Sequence, residues 1–281
     1  MSLVSLIVGL ALVALAPAAG SAGPLRIVSL APNLTELTYA AGAGNMLVGT
    51  VEYSDYPDAA RALPRVGDAW RVDPERVLEL RPDLVLAWSS GTPGDTVARL
   101  ESLGLRVVSI PTFRLADVAT ALRTIGKIAG TSAVADASAA AFDAAIRRLR
   151  AGHAGVQTVS VFIEIDDEPL YTVNGHHVIS EVVELCGGRN VFAELPQLAP
   201  PVTLEAVLAR DPQVILSADD TIADPQVLWR RWTQVAAVRD GAIYSMSSDT
   251  LTRATPRLAD GARAVCAALD DARARRAAKS R

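Results

Sequence analysis

Pro74-Glu-Arg-Val-Leu-Glu-Leu-Arg-Pro-Asp-Leu-Val-Leu-Ala87 is answered 130 residues later by Leu204-Glu-Ala-Val-Leu-Ala-Arg-Asp-Pro-Gln-Val-Ile-Leu-Ser217. The two stretches align without a gap, setting Glu75 on Glu205, Val77 on Val207, Leu78 on Leu208, Pro82 on Pro212 and Leu86 on Leu216. Each reads as a short helix, a proline turn that ends it, and an apolar run of strand length. A second echo lies upstream, at an offset of 145: Thr35-Glu36-Leu37 leading to Gly42 matches Ser180-Glu181-Val182 leading to Gly187, with Asn45 on Asn190. Solenoid units run to about 20–50 residues, so a repeat this long is not one. It predicts two similar lobes with a cleft between them.

Working outward, residues 26–30 read as a buried strand, with Asn33 or Thr35 capping a helix that ends at Gly42 or Gly44. A strand at Leu84–Trp88, a helix at 95–103 and a strand at 106–110 give the alternation of a parallel sheet flanked by helices. Residues 115–151 are rich in Ala, Arg and Asp, contain no proline and are broken only by Gly126 and Gly130. A continuous helix of that length would span roughly 50 Å. With Thr131-Ser132 as a fresh cap, the expectation is one helix ending near Gly130 and a long one from Ser132, a rigid spine that limits lobe motion. Strands at 158–165 and 242–246 belong to the second lobe, Thr255 opens a terminal helix through Cys266, and the tail 270–281 is expected to be frayed.

The fold class is therefore α/β: two doubly wound lobes with mainly parallel sheets, joined by one long spine helix, with the ligand cleft between lobes. The expected divisions are a signal peptide at 1–22, an N-terminal α/β lobe at 23–130, a connecting spine helix at 131–154 and a C-terminal α/β lobe at 155–281.

Half of the residues are hydrophobic and only 5% are aromatic, so the core must be built mainly from Ala, Val and Leu. A net charge of −4 without a basic stripe speaks against nucleic acid. The first 25 residues carry no charged side chain, and an apolar run from Leu3 to Leu15 precedes Ala-Pro-Ala-Ala-Gly-Ser-Ala. That is the pattern of a secretory signal cleaved after Ala19 or Ala22, and it is shorter than a membrane span; an uncleaved anchor is the alternative reading. No basic residue precedes the run, which departs from the usual pattern, and no cysteine follows it to carry a lipid. Two cysteines, Cys186 and Cys266, in an exported chain tend to pair; two buried free thiols are the alternative reading.

Phosphate-loop, nucleophile-elbow, zinc-protease and dinucleotide motifs are all absent from the chain. His176 and His177 are adjacent, so their side chains diverge and suit one metal poorly; one of them is expected to help start the helix after Asn174-Gly175. Aromatic residues do gather where a cleft is expected. Tyr53-Ser-Asp-Tyr-Pro57 follows one strand, Trp70 lies in a loop and Trp88 follows another strand. Open α/β sheets bind ligands at such carboxyl-terminal loops.

In these residues the chain resembles the periplasmic cobalamin-binding proteins that feed ABC importers, whose two lobes are joined by one long helix. The resemblance rests on Tyr53-Ser-Asp-Tyr-Pro57, Leu80-Arg-Pro-Asp-Leu-Val-Leu-Ala-Trp88, Glu184-Leu-Cys-Gly-Gly188 with Asn190-Val-Phe192, and Ser248-Asp249 with Arg253-Ala-Thr-Pro-Arg257. It implies that Tyr53 and Trp70 pack on opposite sides of a corrin ring, that Trp88 lines the cleft, and that Asp249 and Arg253 reach the ligand's polar rim. It also implies a Cys186–Cys266 disulfide, and docking of Glu75 and Glu205 onto arginines of the importer's membrane subunits. The expected protein is a periplasmic monomer, not an enzyme, with no metal of its own and no cofactor besides the cobalamin it transports. Two departures matter: a second-lobe tryptophan is replaced near Ala199-Pro200-Pro201, and Thr250 stands where an aromatic is expected. They leave room for a differently decorated corrinoid and keep haem or a ferric siderophore as the alternative ligand.

Overall fold

The computed structural model describes residues 23–68, 70–218 and 224–279, so the expected signal segment lies outside the described residues. The chain runs from β1 (Ile27–Ser29) through α1 (Pro32–Ala40), β2 (Leu47–Gly49), α2 (Pro74–Glu79), β3 (Leu84–Trp88) and α3 (Gly94–Ser102) to β4 (Val107–Ile110). These strands pair in parallel in the order β2-β1-β3-β4. Two helices, α4 (Leu115–Ala129) and α5 (Ser132–Gly152), then carry the chain to a second set of strands. That set opens with β5 (Val159–Glu164), the short pair β6 (Asp166–Asp167) and β7 (Leu170–Tyr171), α6 (Val178–Leu185) and β8 (Gly188–Asn190). It continues through α7 (Leu204–Arg210), β9 (Val214–Ala218), α8 (Pro225–Trp229), α9 (Ala236–Asp240), β10 (Ile243–Met246) and α10 (Ser248–Leu251) to α11 (Leu258–Lys279). Its main sheet, ordered β10-β9-β5-β8, repeats the first with β5, β8, β9 and β10 in the places of β1, β2, β3 and β4.

The echoed segments fold alike residue by residue. Asp73 and Thr203 cap α2 and α7 with side-chain oxygens, and Val77 and Val207 are fully buried. Arg81 and Asp211 both turn into the left-handed region, at φ 44° and 40°, to reverse the chain before the proline. The strands that follow each bury four residues and leave the fifth half-exposed.

α4 ends at Gly130 in the left-handed conformation, as the glycine predicts. The chain then folds back: a Cβ on Gly126 would lie 2.2 Å from that of Ala135, so glycine permits the close approach of α4 to α5. With 21 residues, α5 is about 30 Å long. Near its start Ser138 Oγ donates to Ala40 O at 2.7 Å, and just past its end His153 lies 3.2 Å from Asp270 of α11. One apolar cluster runs through both lobes, joining Leu34, Leu122 and Phe142 to Val182 and Leu269, while separate clusters back the outer face of each sheet.

Three local expectations are corrected. Neither Asn33 nor Thr35 caps α1, which opens after Ala31 on Pro32, a residue with no N–H to satisfy. Asn33 instead donates to Thr112 Oγ1 at 3.2 Å, and Thr35 joins a buried hydroxyl network with Ser29, Thr50 and Ser54. Thr131 does not cap α5 with its hydroxyl, which donates to Ala41 O at 2.7 Å. The tail is helical to Lys279, because its basic side chains find carbonyls and carboxylates. Arg273 donates to Gln157 O and Cys186 O, both at 2.7 Å, and Lys279 to Asp240 Oδ1 at 2.9 Å. Cys186 and Cys266 form a disulfide that ties the end of α6 to α11.

Candidate functional site

Because all strands of each main sheet run in parallel, their carboxyl ends share one edge, and the loops beyond those edges face each other across a cleft. Side chains from both lobes meet there. Trp88, Thr112 and Phe113 of the first lobe and His176, Leu198 and Ala254 of the second line a cavity of about 90 Å³. Phe113, His176 and Leu198 also line an adjoining groove of about 530 Å³, whose far wall carries Arg114, Glu181 and Glu184. The groove alone is in the size range of small-molecule sites.

Of the predicted residues, Tyr53 is 77% exposed and Trp70 is 70% exposed. Tyr53 itself adopts a left-handed backbone at φ 62°, which turns the loop after β2 sharply. Trp70 projects from a turn in which Asp68 Oδ1 accepts from the backbone nitrogens of Trp70 and Arg71, at 2.8 and 2.7 Å. Trp88 lines the cavity, but its indole nitrogen is committed to Thr112 Oγ1 at 2.7 Å and its ring packs over Gly91. It forms a fixed wall.

Asp249 and Arg253 come together, and the structure adds a partner. Arg253 Nη2 lies 3.0 Å from Asp249 and Nη1 lies 2.9 Å from Asp55 of the opposite lobe. Asp55 belongs to the Tyr53–Pro57 segment, so the guanidinium bridges both rims of the cleft. Burial pushes Asp55 up, but the hydrogen bond and charge of Arg253 outweigh it and hold the carboxyl below its usual range. Beside them Arg257 stacks 3.9 Å over the Tyr56 ring and donates to Glu36, which is buried.

Glu75 and Glu205 are both exposed in the first turns of α2 and α7. The start of α2 is tied by the Asp73 backbone nitrogen to Val66 O at 2.8 Å, beside the bridge that extends β2 at Thr50. That puts Glu75 at the cleft end of its lobe, and the repeat gives Glu205 the corresponding place.

The two histidines diverge as expected. His177 is the N-cap of α6, its Nδ1 accepting from Ile179 N at 3.2 Å, and burial pushes it down to about 4. His176 stays exposed in the cleft. Sequence reasoning missed Phe113, Leu198, His176 as a cleft residue, and the bridging role of Asp55. Phe113 obeys the rule that flagged Trp88, since it lies just past the carboxyl end of β4; Leu198 occupies the proline-rich segment where a tryptophan was expected. Among the described residues no cluster of three metal-ligating side chains occurs, and no helix is long and apolar enough to cross a membrane.

Residues 27–250 match the periplasmic binding protein family. The vitamin B12-binding protein of Vibrio cholerae is 36% identical over 242 residues, which cover 86% of this chain and 87% of that protein. The crystal structure of the periplasmic vitamin B12 binding protein of Vibrio cholerae superposes with a TM-score of 0.83, at 36% identity, covering 88% of this chain and 97% of that one. A periplasmic haem-binding protein from Roseiflexus, 23% identical, shares the fold with a TM-score of 0.80 over 89% of this chain and 99% of that one. With the family matched over most of its length, and with paired parallel sheets facing one cleft, the chain belongs to the periplasmic binding protein family.

Proposed function

We propose that this protein captures cobalamin or a related corrinoid in the periplasm and delivers it to the membrane subunits of an ABC importer. It acts as a monomer and performs no covalent chemistry, and the corrinoid is cargo rather than cofactor. The observation that carries this reading is the distribution of exposed rings. Tyr53, Tyr56, Trp70 and Phe113 are the large exposed aromatics among the described residues, and all four emerge from loops after β2 and β4. Flat rings at one edge of a cleft suit a large flat ligand, because they bury much area while losing few rotatable bonds. The charged rim of Asp55, Asp249 and Arg253 suits polar groups around such a ring. The similarity to vitamin B12-binding relatives over most of the chain supports the same ligand class.

Calorimetric titration of the mature protein with cyanocobalamin, run beside haem, tests the reading. Tight one-to-one corrinoid binding is expected, and Trp70→Ala should weaken it by roughly 2 kcal/mol, the value of one large buried ring face. Tight haem binding with no response to cyanocobalamin would overturn the ligand and leave the family standing.

A further inference from the structure

The neighbouring histidines have been given different work, and one imidazole is left over. His177 spends a ring nitrogen on the start of α6. His176 lines both the cavity and the groove, between Phe113 and Leu198, and none of the described residues bonds its ring. Its backbone is held firmly. Asn174 Oδ1 accepts from His176 N at 2.9 Å, Asn174 Nδ2 donates to Leu195 O at 3.0 Å, and Gly175 N donates to Ala193 O at 3.0 Å. A Cβ on Gly175 would itself come within 3.0 Å of that carbonyl, so the glycine is what lets the loop lie so close. Trp88 and Thr112, bonded to each other, close the cavity from the opposite lobe. Of the charged groups that line the groove, Arg114 and Glu181 are paired with each other at 3.8 Å, and Glu184 lines it as well.

An unpartnered nitrogen base on a braced loop, sharing its cleft with the apolar side chains of Phe113 and Leu198, is what a metal-centred macrocycle meets with its axial position. Imidazole is a good ligand for first-row transition metals. Resting on the corrinoid reading above, we propose that His176 supplies an axial ligand to the cobalt of the bound corrinoid. An imidazole nitrogen gives its lone pair to Co(III) to form the Co–N bond, and the water held at that axial position leaves with its own electron pair. No electron is transferred and the cobalt stays Co(III). A corrinoid that lacks its own nucleotide base offers exchangeable water on both faces, so this ligand favours base-free or base-off forms over those with both axial positions filled.

The test is titration of diaquocobinamide into the wild-type protein and the His176→Ala and His177→Asn variants, following visible absorption and heat together. The wild type and His177→Asn should shift the cobinamide bands to those of a nitrogen-ligated Co(III). His176→Ala should bind about ten-fold more weakly or worse and keep the aquo spectrum. Binding seen by heat with an unchanged aquo spectrum in the wild type, or identical bound spectra with and without His176, overturns this proposal alone. Absence of heat with both cobinamide and cyanocobalamin overturns the corrinoid reading, and this proposal with it.

Discussion

Glu36 and Glu181 occupy equivalent places 145 residues apart in the repeat, and each carboxylate is bound by the other half of the molecule. Glu36 in α1 takes Arg257 Nη2 at 2.8 Å, Arg257 Nε at 2.9 Å and the Thr255 hydroxyl at 2.6 Å, all from the second lobe. Glu181 in α6 accepts from the backbone nitrogen of Leu115 at 2.8 Å, at the start of α4, with Arg114 at 3.8 Å. The repeat thus builds two cross-lobe ties from one motif. They are unequal, since Arg257 is mostly buried while Arg114 is 72% exposed.

That inequality sets the first expectation. Glu36→Gln leaves a mostly buried guanidinium without its counter-charge and should cost about 3 kcal/mol of unfolding free energy. Glu181→Gln, whose ion pair is long and screened by solvent, should cost about 1 kcal/mol or less. Urea denaturation of both variants measures the difference; equal losses would mean that the cross-lobe charge at Glu36 contributes little.

A second expectation concerns pH. Glu164 is fully buried, accepts from Trp229 Nε1 at 3.0 Å and contacts Ser217, and burial pushes it up to about 7. Between its unfolded pKa of 4.5 and about 7, the native state therefore holds a proton that the unfolded state has lost, and stability falls as pH rises. His177, pushed by burial from 6.5 down to about 4, acts in the opposite sense, so that stability falls as pH drops through that window. The two slopes nearly cancel between about pH 4.5 and 6.5, with each amounting to roughly 1.4 kcal/mol per pH unit. Unfolding free energy of Glu164→Gln should rise with pH across this range, and that of His177→Asn should fall. Parallel profiles for the two variants would refute the assignment.

The disulfide supplies a third. Cys186 and Cys266 are 80 residues apart, and closing a loop of that size restricts the unfolded chain by about 4 kcal/mol. The Cys186→Ala, Cys266→Ala double variant should lose about that much in urea, with ligand affinity nearly unchanged, because the bridge ties α6 to α11 behind the cleft.

A fourth separates docking from capture. Reversing charge at Glu75 and Glu205 together, Glu75→Arg with Glu205→Arg, should leave corrinoid affinity as it was and abolish delivery to the importer reconstituted in vesicles. Each single variant should fall between, as expected if one acidic knob per lobe meets a two-fold symmetric partner. Full transport by the double variant would assign both glutamates to the helix dipole alone.

The spine carries the last. α5 is braced on α1 at one end and α11 at the other, and a single apolar cluster crosses both lobes. Hydrogen exchange should therefore show ligand protection confined to the loops at the cleft. Protection spread over both sheets would indicate a hinged closure instead.

The gapless echo of 74–87 in 204–217 determined two similar halves, each with a short helix, a chain reversal and a buried strand, because those features depend on local pattern and turn chemistry; the matching strand order and the left-handed turns at Arg81 and Asp211 appear only in the fold. Trp88, which lines the cavity, was legible for the same reason: a loop past a parallel strand is a local event with a known consequence. Only the tertiary structure decided the rest. Arg253 meets Asp55 across 198 residues, Glu36 meets Arg257 across 221, and Phe113 shares a cavity wall with His176 and Leu198. None of these pairings leaves a periodic trace, since each side chain is drawn by charge or apolar contact from a chain segment the local sequence does not specify. The hydroxyls of Thr35 and Thr131 show the same limit on a small scale: each reads as a helix cap, and each was claimed by a partner that only the folded chain brings near.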